Sequence, residues 1–178
     1  MLIQLIRQSK PPSGFTLAEL LAGIAILIVL AAILINAYQT YIVREQVRDG
    51  VRLASSLKPA IISHLQNHDV MPISRTSLGL DKNPTDTANN YVKSVDVKNG
   101  RLDITFGNRA NATIADAILY IVPYQMADGS IAWRCGSVPL PTDADGNELP
   151  LVTGSLDSSP LAFAASNVPT RYLPDYCR

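Results

Sequence analysis

The sequence predicts an α+β fold: one long N-terminal α-helix packed on a four-stranded antiparallel sheet, with a disulfide-bounded loop region at the C-terminus. Three observations predict it. An almost unbroken apolar run from Phe15 to Ile35 flows into an amphipathic stripe. Two stretches of alternating residues are each interrupted by a turn pair, Asn99-Gly100 and Asp128-Gly129. A region rich in Pro, Ser, Asp and Gly runs between the two cysteines, Cys135 and Cys177. A chain of 178 residues suits a single core-forming domain. Fifteen Lys and Arg balance fifteen Asp and Glu, so no overall positive field draws in a polyanion.

Phe15 to Ile35 supplies 21 residues with one ionisable side chain, Glu19. A membrane-spanning helix needs about 20 such residues, so the run is long enough to cross a bilayer. Arg7 and Lys10 precede it without an acid, whereas Arg44, Glu45, Arg48, Asp49 and Arg52 follow with both signs. This asymmetry places the N-terminus in the cytoplasm and the rest outside. A secretory signal has a shorter apolar core of about 7–15 residues and a small-residue cleavage site after it. Leu34-Ile35-Asn36-Ala37-Tyr38 offers no such site, so the apolar helix is expected to stay in the mature protein.

Beyond Ile35, Val43, Val47, Val51, Ala54, Leu57, Ile61 and Leu65 recur at spacings of three and four, one apolar stripe of a helix over about 37–66. Glu45 with Arg48 and Asp49 with Arg52 lie at i,i+3 on other faces. The combined helix, from about Phe15 to Gln66, would run roughly 78 Å. Gly50 weakens it, and Pro59 removes an interior hydrogen bond, which predicts a bend near Leu57–Lys58.

The segment 67–90, rich in Asn, Asp, Ser, Thr and Pro, reads as a long surface loop. The sheet is expected over about 91–141. In its first hairpin a two-residue turn at Asn99-Gly100 sets Val97 against Leu102 and Val95 against Ile104 on the core side. The other side sets Lys98 against Arg101 and Asp96 against Asp103, with attractive diagonals, and is expected to be wet. The second hairpin, Ile118–Met126 and Ile131–Cys135 about Asp128-Gly129, is expected to place Trp133 opposite Tyr124 and Cys135 opposite Val122, with Trp133 as a core anchor. Pro123 must sit at an edge or at a non-bonded position.

Both cysteines lie on the non-cytoplasmic side, where an oxidising compartment favours a Cys135–Cys177 disulfide. By chain-entropy arithmetic a loop of this length is worth about 4 kcal/mol. Within the C-terminal region only Leu149–Val152 and Leu161–Ala164 are apolar enough to pack.

No Ser/His/Asp arrangement, phosphate loop or thiolate nucleophile can be assembled, so catalysis is not expected, and no cofactor or metal is implied. His64 and His68 are four apart but lack a third ligand. Asp143-Ala144-Asp145-Gly146-Asn147-Glu148 resembles part of a calcium loop and reads as an acidic turn. Asn111-Ala112-Thr113 matches a glycosylation sequon, and Ser155, Ser158 and Ser159 beside Pro160 are sites where O-linked sugar is conceivable; ordinary loop chemistry is favoured for each.

Gly14-Phe15-Thr16-Leu17-Ala18-Glu19, followed by the apolar run, resembles the processing signal of type IV prepilins. Ala37-Tyr38-Gln39-Thr40-Tyr41, Trp133-Arg134-Cys135-Gly136 and the closing Pro174-Asp175-Tyr176-Cys177-Arg178 are similar to further motifs of type IVa pilins, so the resemblance covers the whole chain. It implies that residues 1–14 are a leader cut by prepilin peptidase between Gly14 and Phe15, that Phe15 is then N-methylated, and that 15–36 form the membrane and fibre-core helix of a head spanning 37–178. The leader is longer than usual for the family, and Asn36 stands where many members have a helix-kinking proline.

A carboxylate at bilayer depth costs several kcal/mol, which marks Glu19 as functional. Cleavage would create a partner one helical turn away, because the new α-amino group of Phe15 is cationic at neutral pH. The resemblance implies an intermolecular pair in which Glu19, with Thr16 beside it, sets axial register in the fibre. It also implies the partners: other copies of the chain, the peptidase, the assembly machinery with its minor pilins, and the inner membrane before export. Attachment, twitching and DNA uptake are the implied uses. Two alternatives stay open at this level. One is a low-abundance competence or adhesion pilin that binds DNA or a host surface, with Lys93, Lys98, Arg101 and Arg109 as basic candidates; the other is a type II secretion pseudopilin.

Overall fold

The structure, a computed structural model, describes residues 14–152 and 165–178. The leader positions before Gly14, the apolar group Leu161–Ala164 and the serines 155, 158 and 159 lie outside the described residues. The chain divides into two units, Met1–Tyr38 and Gln39–Arg178.

In the first unit the described backbone is helical from Leu17, the start of α1 (Leu17–Ser55). Its side chains point outward on all sides: Leu20, Leu27, Val29 and Ile33 are each more than half exposed. A helix apolar all round has no solvated face and is suited to lipid or to other helices. Its mean hydropathy of 2.8 over the best window meets the criterion for a membrane span.

The second unit begins where α1 becomes amphipathic. Val43, Val47, Val51 and Ala54 are buried in the main core, as the stripe predicts. The helix is interrupted where the bend is predicted: α1 ends at Ser55 and α2 (Lys58–His68) follows. Pro59 sits in the first turn of α2, where its missing N–H has no intrahelical partner to lose. At the break the backbone tightens, with the N–H groups of Ser56 and Leu57 bonding to Leu53 and Ala54. Gly50 is more than a weak helix residue. It is buried against the sheet, and a Cβ there would lie 2.6 Å from Cε1 of Phe106.

The segment predicted as a plain surface loop is more structured than its composition suggests. Asp69 caps α2 in the left-handed conformation, Met71 is fully buried, and short 3-10 turns form at Arg75–Leu78 and Pro84–Thr87. Arg75 is buried, with Nε donating to the Asp81 carbonyl at 3.0 Å and Nη1 to Thr87 Oγ1 at 2.6 Å and to the Val95 carbonyl at 2.5 Å. One guanidinium thus ties the loop to the sheet.

The sheet has four antiparallel strands in the order β1 (Val92–Lys98), β2 (Arg101–Phe106), β3 (Ile118–Gln125), β4 (Ile131–Cys135). The first hairpin has the predicted register, Val97 with Leu102 and Val95 with Ile104. Asn99 and Gly100 both take positive φ, as a two-residue turn matched to the strand twist requires. Its outer side is drier than expected. Arg101 forks onto Asp103, Nε to Oδ1 at 2.6 Å and Nη2 to Oδ2 at 3.0 Å, and lies 4.8 Å over the Tyr120 ring; Asp103 itself is buried. The side chain two residues along the same strand, aided by a neighbouring aromatic, neutralises the charge that the cross-strand pattern left to solvent.

The second hairpin differs from expectation by one residue. Trp133 pairs with Pro123, Tyr124 with Ala132, Val122 with Arg134 and Ile121 with Cys135. Met126 N–H bonds to the Ser130 carbonyl, so Ala127, Asp128 and Gly129 form a three-residue loop with Gly129 at positive φ. Such a loop ends in a bulge and shifts the pairing by one. Trp133 consequently lies on the main-core side but is only half-buried, with the Lys58 ammonium 5.2 Å from its ring. Burial lowers the affinity of that ammonium for its proton. Tyr124 and Val122 turn to the outer face, where they form a second apolar cluster with Leu149. Pro123 lies beyond the stretch of β3 paired with β2, so its missing donor breaks no ladder. Residues 149–152 occupy that vacated side: Leu151 bridges Tyr124, and Gln125 N–H bonds to the Pro150 carbonyl.

Cys135 and Cys177 form the expected disulfide, with Cα atoms 4.7 Å apart. It joins the end of β4 to a short 3-10 turn at Asp175–Cys177, and both cysteines are buried in the core.

Candidate assembly site

Local chemistry determines where α1 starts. Thr16 precedes its first residue and Glu19 lies three positions on. Thr16 Oγ1 accepts from the Glu19 N–H at 3.3 Å, while Glu19 Oε2 accepts from the Thr16 N–H at 3.1 Å and from the Thr16 hydroxyl at 2.9 Å. This reciprocal pair is a capping box, which satisfies two helix-end donors that have no intrahelical partner. The Thr-x-x-Glu spacing that forms it is visible in the sequence just ahead of the apolar run. An acid in the first turn also meets the positive end of the helix dipole.

Gly14 and Phe15 stand exposed just before the helix, and among the described residues no atom outside the adjoining positions of the chain lies within 4 Å of where a Cβ on Gly14 would project. The Gly14–Phe15 bond therefore sits on open backbone beside the Thr16–Glu19 box. Farther along α1, Asn36 Nδ2 donates to the Ala32 carbonyl at 3.4 Å, so the residue in the proline's usual place keeps a helical partner.

The other sequence candidates resolve into ordinary structure or remain apart. The rings of His64 and His68 are 4.5 Å apart and tilted, His64 Nδ1 lies 3.1 Å from the Val70 carbonyl, and among the described residues no cluster of three metal-ligating groups forms. Asp143 uses Oδ1 to accept from the N–H groups of Asp145 and Asn147 at 3.0 and 2.8 Å. Hydrogen bonds, the Asn147 side chain first, hold its carboxyl below the usual carboxylate value. Asn111 turns its side-chain oxygen onto Thr113, and its N–H donates to Gln46 at 2.8 Å.

Of the basic candidates, Lys93 meets Asp116 at 3.2 Å, and Lys98 meets Asp103 at 3.4 Å and Asp96 at 3.6 Å. The hydrogen bonds that Arg101 donates to Asp103 raise its affinity for its proton. Three of the four cations therefore have carboxylates against them.

Comparison with known proteins agrees with this architecture. The family model for pilins, described as bacterial filament proteins, matches residues 43–178. A type IV major pilin protein PilE1 of Neisseria gonorrhoeae is 35% identical over 166 residues, covering 93% of both chains. A fimbrial protein of Neisseria meningitidis serogroup A is 35% identical over 169 residues with the same coverage, and fimbrial protein EcpC of Eikenella corrodens is 33% identical over 142 residues, 77% of this chain and 87% of that one. The chain therefore belongs to the type IV pilins, the structural subunits of bacterial filaments.

Proposed function

We propose that this chain is the major subunit of a type IV pilus, cut between Gly14 and Phe15 by prepilin peptidase, N-methylated on Phe15, and assembled through residues 15–36 with Glu19 setting the register. The observation that carries this reading is that α1, over residues 17–35, is exposed and apolar on every side and carries there one carboxylate, Glu19, in its first turn beside the cleavage position. In the uncut chain Thr16 occupies that carboxylate. Cleavage supplies a cation, the Phe15 α-amino group, and a pair in low dielectric rewards correct alignment and penalises a slipped one. Thr16 then keeps Glu19 at the helix start. Before assembly the helix anchors the chain in the inner membrane; afterwards the head, 37–178, faces the fibre exterior. The pilus machinery and minor pilins are the assembly partners, and attachment, twitching and DNA uptake are the uses of the filament.

Mass spectrometry of sheared surface filaments tests the processing step. The expected species is this chain beginning at methylated Phe15 as the principal component; any other N-terminus overturns it. The variant Glu19→Ala is expected to be cut normally yet to yield few or no filaments. Normal piliation would sink the register argument.

A further inference from the structure

The chain has 2 histidines, His64 and His68, and both lie on the last turns of α2. The helix end is closed rather than frayed. Asp69 follows in the left-handed conformation, and its N–H donates to the Leu65 carbonyl at 2.8 Å. His64 is half-buried and His68 exposed. His64 Nδ1 lies 3.1 Å from the Val70 carbonyl oxygen. A carbonyl can only accept, so Nδ1 carries a proton and the neutral ring keeps a free lone pair on Nε2. Metal-bound histidines are commonly oriented by such a bond from the other ring nitrogen. The turn beyond α2 thus fixes the tautomer of His64 before any ion arrives.

The spacing of the rings matches one shared ion. A metal–nitrogen bond of about 2.05 Å puts the centre of an imidazole about 3.2 Å from the metal. Two rings at a right angle about one ion then have centres about 4.5 Å apart, and at the tetrahedral angle about 5.2 Å. The centres of the His64 and His68 rings are 4.5 Å apart, with planes inclined at 42° instead of stacked parallel.

We propose that His64, through Nε2, and His68, through a ring nitrogen, form an open site for copper(II) on the head, with water filling the other coordination positions. Among the described residues no third ligating group joins the pair, so the ion would be held by two donors and exchange readily, unlike one in a closed structural site. The right-angle spacing suits the tetragonal geometry of copper(II) over the tetrahedral geometry of zinc(II), and the ordinary affinity order of divalent ions runs the same way. The negative end of the helix dipole and the exposed Asp69 carboxylate favour a cation at this place. The site lies within the head, so its failure would leave the assembly reading untouched.

The test titrates full-length, untagged chain in detergent with copper(II), followed by calorimetry and electron paramagnetic resonance. One copper(II) per chain is expected to bind at micromolar concentration, with hyperfine structure from two imidazole nitrogens, which these two residues alone can supply. His64→Gln and His68→Gln are each expected to weaken binding by at least about tenfold, because a chelate loses one of its two arms. Zinc(II) is expected to bind at least about tenfold more weakly than copper(II). No uptake at micromolar copper(II), half an equivalent per chain, or unchanged binding when both histidines are replaced overturns the site. Zinc(II) held as tightly as copper(II) overturns the right-angle geometry. Should a variant fold poorly, the unaltered chain supplies a second arm: copper(II) is expected to slow modification of both histidines by diethyl pyrocarbonate several-fold, mapped by mass spectrometry. Modification at the same rate with and without the ion overturns the proposal.

Discussion

Replacing Gly50 by alanine measures how closely α1 must approach the sheet. The new Cβ would lie 2.6 Å from Cε1 and 2.9 Å from Cζ of Phe106, and 3.2 Å from Cγ2 of Val92. Carbon atoms in contact sit about 3.5–4.0 Å apart, so the ring or the helix must move by about 1 Å. Phe106 is fully buried and cannot swing into solvent. Overpacking of this kind costs about 1–3 kcal/mol, while exchanging glycine for alanine inside a helix returns about 1 kcal/mol. The expected net loss is about 1 kcal/mol, a fall in Tm of about 2–4 °C for a chain of this size. The assay is thermal unfolding of the detergent-solubilised, oxidised protein followed by the near-ultraviolet signal of Trp133. Adding Phe106→Leu should recover part of the loss, so that the double variant is less destabilised than the sum of the singles by about 1 kcal/mol. A Gly50→Ala protein as stable as the parent, or strict additivity with Phe106→Leu, would refute the close-approach argument.

Three further outcomes follow from particular contacts. Cys135→Ser with Cys177→Ser should lower stability by about 4 kcal/mol, read as a reduced denaturant midpoint, because the bridge closes a loop with a sequence separation of 42. Arg75→Met should cost about 2–3 kcal/mol by stranding the Val95 carbonyl and should expose residues 79–90 to limited proteolysis, with cut sites mapped by mass spectrometry. The Asp143 carboxyl has a lowered pKa, so its contribution to the 143–148 turn is fully present above the ordinary carboxylate value and is lost as pH falls through the lowered one. Slowed amide exchange at Asn147 should therefore disappear in acid, and Asn147→Ala should move the Asp143 titration, followed by NMR, upward toward the ordinary value.

The elements legible in the sequence are those for which one residue's chemistry or a local period is decisive. An almost unbroken apolar run over 21 residues has few uses besides spanning lipid or joining other helices. Asn99-Gly100 specifies its turn because both positions need positive φ, and the register of β1 and β2 then follows. Cys135 and Cys177 had no other partners, and Pro59 marked the helix break one turn early because its ring is tolerated only in a first turn. Thr16 and Glu19 were legible as a capping box, although their role in the fibre depends on a neighbour that one chain does not contain.

What only the tertiary structure decided lies in non-local contacts. Whether Ala127 joined the Asp128-Gly129 turn determined which residue of β3 faces Trp133, and the one-residue shift puts Tyr124 on the outer face while Trp133 stays on the core side, because side chains alternate along a strand. Asp103 could be dry because Arg101 and Tyr120 converge on it from two strands. Arg75 became the staple of a loop that composition described as plain surface, since its acceptors come from Asp81, Thr87 and Val95. Gly50, a weak helix residue by its own chemistry, lies where the Phe106 ring leaves no room for a Cβ. The sequence by itself determined the anchor, the hairpins, the bridge and the family. The approach of helix to sheet, the second hairpin's register and the apolar cluster of Val122, Tyr124 and Leu149 on its outer face were decided by packing, because each depends on atoms far apart in the chain competing for the same space.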